Sequence, residues 1–441
     1  MTKNGSKHPD SNLQLPWNIT QVGTLILPLM PALGVISISL ALLITWGFKY
    51  KTLIRRPFIQ GFGIFSLLLV VTTLFAQEKI PALLGLPNFL PFILLLCACN
   101  VLIQTPAQLR RLAWILVITS IPVTLLGFWQ MLGLKTPELI FNIFGWTIAP
   151  GGNPVGRMAS VFMYANVLAG YLVIVFILAC GLWLEKISEN KGISYSALVQ
   201  TRNFASLHSS LFLTIAVILN FAALILTNSR NAWLIAILAC VAYAVFKGWR
   251  LIVGFFGAVT ASVLLAAFAP APIAGIFRSF VPAFFWARLN DQMYPDRPVE
   301  LMRTTQWQFA WSMAQQRPLT GWGLRNFTPL YQEKMHIWLG HPHNFFLMLS
   351  AETGIPNTLL FIGLIIWILI ASARVLRQSI CSEQDKLIFF SYFLVVIAWV
   401  IFNTVDVSLF DLRLNTLSWL LLGAVAGVSY RYNHIKQEID T

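Results

Sequence analysis

The sequence predicts an all-α, polytopic membrane bundle, and three observations carry that expectation. Of 441 residues, 57% are hydrophobic and only 10% charged. Mean hydropathy is +0.73, far from the mix of a soluble globular chain. Apolar runs of roughly 17 to 25 residues recur along the whole length, each long enough to cross a hydrocarbon core about 30 Å thick as a helix.

Taken in order, the spans are expected at 17–29, 32–48, 58–75, 82–103, 112–132, 158–183, 208–227, 231–246, 250–269, 345–371, 387–403 and 414–430. That makes about twelve. The first two could instead be one helix kinked at "PLMP" (Pro28 and Pro31), because membrane helices tolerate proline where neighbours satisfy the freed carbonyls. Eleven spans would move the N-terminus to the outer side. The first twenty residues are polar and show no cleavage pattern, so no removable signal peptide is expected. Three stretches follow: 1–269 as N-terminal membrane helices, 270–342 as a long extracytoplasmic segment with amphipathic helices, and 343–441 as C-terminal membrane helices. Cys97, Cys99, Cys180, Cys240 and Cys381 all lie outside 270–340, so disulfides are not expected to hold that segment.

Orientation is read from Lys and Arg in short loops. "KYKTLIRR" (49–56), "LRR" (109–111), "KGWR" (247–250), "ARVLRQ" (373–378) and the tail from Arg431 fall on one side in the twelve-span threading. That side is expected to be cytoplasmic. The opposite side holds "AQEKIP" (76–81), the Gly-rich loop 133–157, "TNSRN" (227–231), the segment 270–340 and "NTVDVSLFD" (403–411). Any chemistry is therefore expected to face outward.

The segment 270–340 carries Arg278, Arg288, Arg297, Arg303, Arg317, Arg325 and Lys334 against Asp291, Asp296, Glu300 and Glu333. Long external regions are largely exempt from the positive-inside bias. Two readings of these arginines stand: they bind lipid phosphates and snorkel, or they form an outward bowl for an anionic substrate, guanidinium being well matched to phosphate oxygens. Trp286, Trp307, Trp311, Trp322 and Trp338 lie among them, either as interface anchors or as faces for a sugar attached to a phosphate. "ELMRTTQWQFAWSMAQ" (300–315) puts Met302, Gln306, Phe309 and Met313 near one face, the pattern of an amphipathic surface helix. "RPLTGWGLRNF" (317–327) then supplies a turn at Pro318 and Gly321 to Gly323.

"GHPHNFFLMLSAETG" (340–354) places His341, His343 and Asn344 directly before an apolar run. Asn344 suits the N-cap of the helix that follows. His343 then sits at the positive end of the helix dipole, where exposed N–H groups favour an anion and the field disfavours imidazolium. It is either a hydrogen-bonded structural residue or a base poised beside an anion site. His336, His341 and His343 match no familiar metal-ligand spacing and show no obvious partner carboxylate, so no metal is expected. In "LTNSRNAW" (226–233), Arg230 lies in a very short polar break between apolar spans, either a snorkelling anchor or part of a protein-lined cavity with Asn228, Ser229 and Asn231. Glu352, expected two turns inside the span that begins at Phe345, needs a partner, which Arg230 or Arg303 could supply.

In their order, "TNSRN", then "PLTGWGLRNF", then "HN" with Gly354 nine residues further on, these motifs resemble the O-antigen ligase and O-antigen polymerase superfamily of bacterial membrane proteins. The resemblance covers the architecture throughout and has sharp motifs only between about 157 and 360. It implies a multi-pass bacterial inner-membrane glycosyltransferase whose active site faces the periplasm. The implied ligase moves a glycan from an undecaprenyl pyrophosphate carrier to a lipid A core or other glycan acceptor, without metal, cofactor or nucleic-acid partner. By position Arg230 looks like the family's first arginine, Arg303 like the second, and His343 like the histidine. Arg157 in "GGNPVGRMAS" and Arg325 in "GLRNF" look like donor-site residues, with Asn344, Glu352, Trp307 and Trp322 expected beside them. An inverting transfer needs a base for the acceptor hydroxyl and cations for a departing pyrophosphate, which agrees with those assignments. The superfamily also holds polymerases that extend the carrier-bound glycan, which nothing in the sequence separates from ligases, and bicarbonate transporters. Ionisable residues concentrated at one face, with no repeated half, favour a transferase over a transporter.

Overall fold

A computed structural model of the chain describes residues 8, 10–136, 140, 143–191, 202–289, 298–378 and 382–440. Arg297, Asp291, Asp296 and Cys381 lie outside the described residues, as does the side chain of Arg288. Among the described residues the regular structure is helical.

The helices are α1 (Gln14–Ile26), α2 (Pro31–Ile54), α3 (Pro57–Leu74), α4 (Lys79–Gly85), α5 (Leu90–Leu102), α6 (Pro106–Met131), α7 (Ala165–Lys191), α8 (Arg202–Leu226), α9 (Arg230–Phe246) and α10 (Arg250–Phe268). The outer segment follows with α11 (Ala271–Arg278), α12 (Ala283–Leu289), α13 (Arg303–Gln316) and α14 (Phe327–Met335). The chain ends in α15 (Phe345–Thr353), α16 (Ile355–Leu376), α17 (Glu383–Asn403) and α18 (Leu412–Asp440). Among the described residues ten helical stretches are long and apolar enough to cross a membrane, one of them the α4–α5 pair; α9 is apolar but shorter.

Side-chain ties sort the helix ends into two groups. At one end, Arg110 at the start of α6 pairs with Glu185 at 2.7 Å near the end of α7 and with Asp385 at 3.1 Å at the start of α17. Arg56, before α3, donates to the Asn100 carbonyl at the end of α5 and stacks over Tyr430 of α18 at 4.0 Å. His8 Nε2 meets the Leu102 carbonyl there, and Asp10 pairs with Lys49. At the other end, Trp146 donates to Leu29 O and Arg413 to Pro28 O and Val161 O. The N-terminus therefore lies at the basic end, and α1 and α2 form a hairpin rather than one kinked helix. That hairpin is close because Gly34 lies against Leu27, with a position for Cβ only 2.5 Å from the Leu27 Cα.

Two expected spans are corrected. The stretch 158–183 becomes α-helical only at Ala165; before it lies a pinned connection with one 3-10 turn (Ser160–Phe162), whose Ala159 and Ser160 N–H groups both donate to Gln130 Oε1 at 2.8 Å. The stretch 345–371 is two helices, broken at Gly354 (φ +86°). There Ile355 N donates to Pro318 O at 2.8 Å, while Trp322 N and Gly323 N donate to Ala351 O and Glu352 O at 3.0 and 2.8 Å. The loop 318–323 thus lies directly along the break. A Cβ on Gly354 would stand 2.3 Å from Leu319 O, and one on Gly321 (φ +65°) 2.4 Å from the Glu352 carbonyl carbon. Only glycine fits either place.

The core that positions the outer end is aromatic. Phe345, the first residue of α15, packs at 5.6 Å from Phe361, 6.3 Å from Phe89 and 6.3 Å from Trp399, so the head of α15 is anchored between α16, α17 and the connection before α5. A smaller cluster of Phe309, Met313, Phe327 and Tyr331 builds the outer segment. In it Phe327 stacks on Tyr331 at 5.2 Å and Phe309 meets Tyr331 edge-on at 5.0 Å. The expected amphipathic helix is α13, and its Gln306, Phe309 and Met313 face is buried, covered by α14 and α15 rather than left for a membrane surface.

Candidate active site

The site is assembled from connections at the end of the bundle opposite the basic loops. Asn344 caps α15, its Oδ1 accepting from Leu347 N at 2.9 Å. This fixes His343 one residue outside the helix, in the left-handed region at φ +50°, a strained conformation for a non-glycine residue that persists only where surroundings hold it. They do: the His343 N–H donates to His341 Nδ1 at 3.2 Å, the two imidazoles lie edge to face with centroids 4.5 Å apart, and His341 stacks on Phe410 at 5.6 Å.

The partner of His343 comes from the loop between α17 and α18. Asp406 Oδ1 lies 3.3 Å from His343 Nδ1 and accepts from Val407 N at 2.9 Å. Asp406 Oδ2 accepts from Asn166 Nδ2 at 2.9 Å; Asn166 Oδ1 in turn accepts from Arg157 Nη2, and Arg157 Nε donates to Thr227 O at 2.9 Å. A continuous relay therefore runs from Arg157 to His343 through two side chains that the sequence reading did not single out. Burial pushes the Asp406 carboxyl up, but the hydrogen bond to His343, the charges of both histidines and the Val407 N–H outweigh it and hold the group below its ordinary value. Burial pushes His341 down to about 4, aided by His343 and Arg303 and opposed by Asp406. Neutral His341, whose Nδ1 accepts, carries its proton on Nε2. An ionised carboxylate beside Nδ1 favours the His343 tautomer that carries its proton there.

Arg303 begins α13 and its charge acts on His341. Arg230 is the first residue of α9, and its neighbour Asn231 donates to Phe402 O at 3.3 Å, at the end of α17 and close in sequence to Asp406. Arg157 meets the same hairpin through Thr227. Arg303 thus acts on the imidazole pair, while Arg230 and Arg157 are tied to the α8–α9 turn beside the end of α17. Trp307, one turn after Arg303, holds its Nε1–H buried with no partner among the described residues.

Three expected site residues lie at the far end of α15 instead. Glu352 is not two turns inside a continuous span but in the last turn of a nine-residue helix. Its carboxylate accepts from Phe327 N at 3.3 Å and from the Arg325 N–H, so the backbone at the start of α14 meets it, rather than Arg230 or Arg303. Burial pushes Glu352 up to about 8, against those two N–H groups and the Arg325 charge. Arg325 is exposed, with φ +59°, and reaches Asn88. Trp322 donates its Nε1–H to Met313 O at 2.9 Å and lies under the Arg317 guanidinium at 4.0 Å. These three clasp the 318–327 loop to the α15–α16 break.

His341, His343 and Asp406 also place one potential ligand atom each within 4.8 Å of one another, a trio that could hold a metal ion. The carboxylate missing from the sequence reading is therefore present. Each of the three is also engaged by protein: His343 with Asp406, His341 with the His343 N–H, and Asp406 with Asn166 and Val407.

Fold and site together define a multi-pass helical membrane protein with a histidine–carboxylate pair and arginines gathered at one end of the bundle. Residues 215–362 match the family described as O-Antigen ligase, which supports the O-antigen ligase superfamily for this chain and a ligase- or polymerase-type, glycosyltransferase-like function. No curated protein matches the chain. The matched stretch contains Arg230, Arg303, Arg325, His343 and Glu352; Arg157, Asn166 and Asp406 lie outside it.

Proposed function

We propose that the chain is an inverting glycosyltransferase of the O-antigen ligase type, moving a glycan from an undecaprenyl pyrophosphate carrier to an acceptor hydroxyl, such as that of a lipid A core sugar. The observation that carries this is the His343–Asp406 contact at 3.3 Å beside the head of α15, with Arg303 close to the same imidazole cluster. His343 Nε2 takes the proton of the acceptor hydroxyl; the acceptor oxygen forms a bond to the anomeric carbon from the face opposite the leaving group. The bond from that carbon to the pyrophosphate oxygen breaks, and its electron pair leaves with the pyrophosphate, which Arg230 and Arg303 hold. Asp406 positions His343, and Asn166 and Arg157 position Asp406. Glu352, Arg325 and Trp322 shape the outer segment from a distance, and Asn344 sets the helix end. A positioned base is worth about 10² to 10⁴ in rate, and each good donor to the leaving group roughly 3 to 4 kcal/mol.

The protein belongs in this reading to the bacterial inner membrane with the site on the periplasmic face, supported by the Lys- and Arg-rich loops at the opposite end. The test is transfer by the purified protein from an undecaprenyl pyrophosphate-linked glycan to candidate acceptors. His343→Ala is expected to lose transfer, and Arg230→Lys and Arg303→Lys to weaken it, because a point charge does not reproduce a bidentate fork. Transfer by His343→Ala within a few fold of wild type sinks the base assignment, and full activity in both Lys variants sinks the pyrophosphate role. A second carrier-linked glycan serving as acceptor identifies a polymerase. The His341, His343 and Asp406 trio favours one competing reading, a metal-assisted transfer; the metal-independent mechanism expects activity to survive a chelator, and loss restored by a divalent ion overturns it.

A further inference from the structure

A cavity of about 700 Å³ lies at the end of the bundle opposite His343, between α3, α5, α16 and α18. Along α16 its wall runs from Trp367 and Ile368 to Arg374 and Arg377, and along α18 from Ala426 through Tyr430 to Asn433 and His434. Both helices thus turn from apolar to polar in the same direction. The ten residue steps from Trp367 to Arg377 cover about 15 Å along the helix axis, which matches the passage from hydrocarbon to headgroup level in one leaflet.

Among the described residues, the charges at the polar end have no acidic partner. Arg374 and Arg377 form no ion pair among the described residues, and both are exposed. Arg56, behind Asn100 and Tyr430 of the wall, is only 6% exposed. It donates to Asn100 and lies over the Tyr430 ring, yet among the described residues it has no carboxylate partner and its Nε is buried without an acceptor. Gln378, 7% exposed, lines the same cavity; its Nε2 donates to Asn433, while its Oε1 has no partner. Arginines at a helix C-terminus also complement the dipole or snorkel. Neither role calls for a cavity, or for a third, buried guanidinium beside it with no acid among the described residues.

We propose that this cavity binds an anionic phospholipid of the leaflet opposite the candidate active site. The phosphate is held by Arg374 and Arg377 with the field of Arg56 behind them, and an acyl chain lies along Phe58, Trp367 and Ile368. The site is separate from the proposed glycan transfer and does not rest on it.

The test uses the full-length purified protein in detergent and follows its thermal midpoint with dioctanoyl phosphatidylglycerol, dioctanoyl phosphatidylcholine or inorganic phosphate added. Phosphatidylglycerol is expected to raise the midpoint by a few degrees more than phosphatidylcholine, and phosphate alone to do little. That difference disappears in the double variant Arg374→Gln/Arg377→Gln and is kept in Arg250→Gln, an arginine at the same end of the bundle outside the cavity. Ala371→Trp, which fills the cavity and leaves the charges in place, also removes it. Equal shifts by the two lipids, or a full shift in the double variant, overturn the proposal. A shift reproduced by phosphate alone overturns the lipid as occupant in favour of a free-anion site. If Ala371→Trp fails to fold, the double variant decides, since its two side chains are exposed.

Discussion

Replacing Asp406 by Asn keeps the shape of the side chain and changes one acceptor into a donor. Both Asp406 oxygens are committed, Oδ1 toward His343 at 3.3 Å and Val407 N at 2.9 Å, and Oδ2 to Asn166 Nδ2 at 2.9 Å. If the new amide turns its oxygen to His343, its NH₂ group meets the NH₂ of Asn166. Turning Asn166 over to accept would point that NH₂ at Arg157, which now donates to its oxygen. One conflict between donors therefore remains wherever the amides settle. A hydrogen bond to a charged group contributes about 1.5 to 3 kcal/mol. If that loss is felt in the transition state, kcat/KM falls about 10- to 150-fold. The assay is glycan transfer by Asp406→Asn, His343→Ala and the double variant, with the thermal midpoint of each measured alongside. Because Asp406 acts through His343, the double variant is expected to be no slower than His343→Ala alone. Wild-type activity in Asp406→Asn, or losses that multiply in the double variant, would refute the relay.

Three further expectations concern the two ends of α15. Glu352 has an ordinary value of 4.5 and a folded value of about 8, so between the two the folded chain keeps a proton that the unfolded chain gives up. Its contribution is complete below about pH 4.5 and is lost as pH rises through about 8, so the thermal midpoint should fall over that window; Glu352→Gln should flatten the fall, and an unchanged slope counts against it. Gly354→Ala brings a Cβ to 2.3 Å from Leu319 O at φ +86°, a cost on the order of 2 to 4 kcal/mol. It should sharply lower the yield of folded protein, whereas Gly257→Ala in α10, where a Cβ meets open space, should be neutral or slightly stabilising. Asn344→Ala should cost about 1 kcal/mol through the lost cap, and Asn344→Ser should recover both the midpoint and any lost transfer; recovery of stability alone would point to a direct substrate contact instead.

The helices and the Asn344 cap could be read from the sequence because each is set by local chemistry: apolar length for the spans, a side-chain oxygen three residues before Leu347 for the cap. The break at Gly354 was hidden by apolarity on both sides. Its signal was "TGIP", a glycine two residues before Pro356, a combination that ends one helix and opens another. Asp406 was harder to find. It lies 63 residues from His343, in a connection with no periodicity, and only packing of α17 and α18 against α15 and α7 brings it to the imidazole. The one available hint was two carboxylates, Asp406 and Asp411, in so short a polar loop of so apolar a chain. Glu352 failed as an arginine partner for the same reason as the span that held it, since a helix ending at Thr353 delivers its last turn to the neighbouring loop.

The connection that supplies Asp406 has a consequence for the order in which the molecule becomes competent. His343, Arg230 and Arg303 all precede it in the chain, so a ribosome delivers the proposed base and both proposed cations before the carboxylate proposed to position the base. Under the relay proposed above, a partly synthesised chain already threaded through the membrane holds an imidazole without the carboxylate that positions it. In that proposal the hairpin of α17 and α18 closes the relay, and full activity is expected only once it has packed.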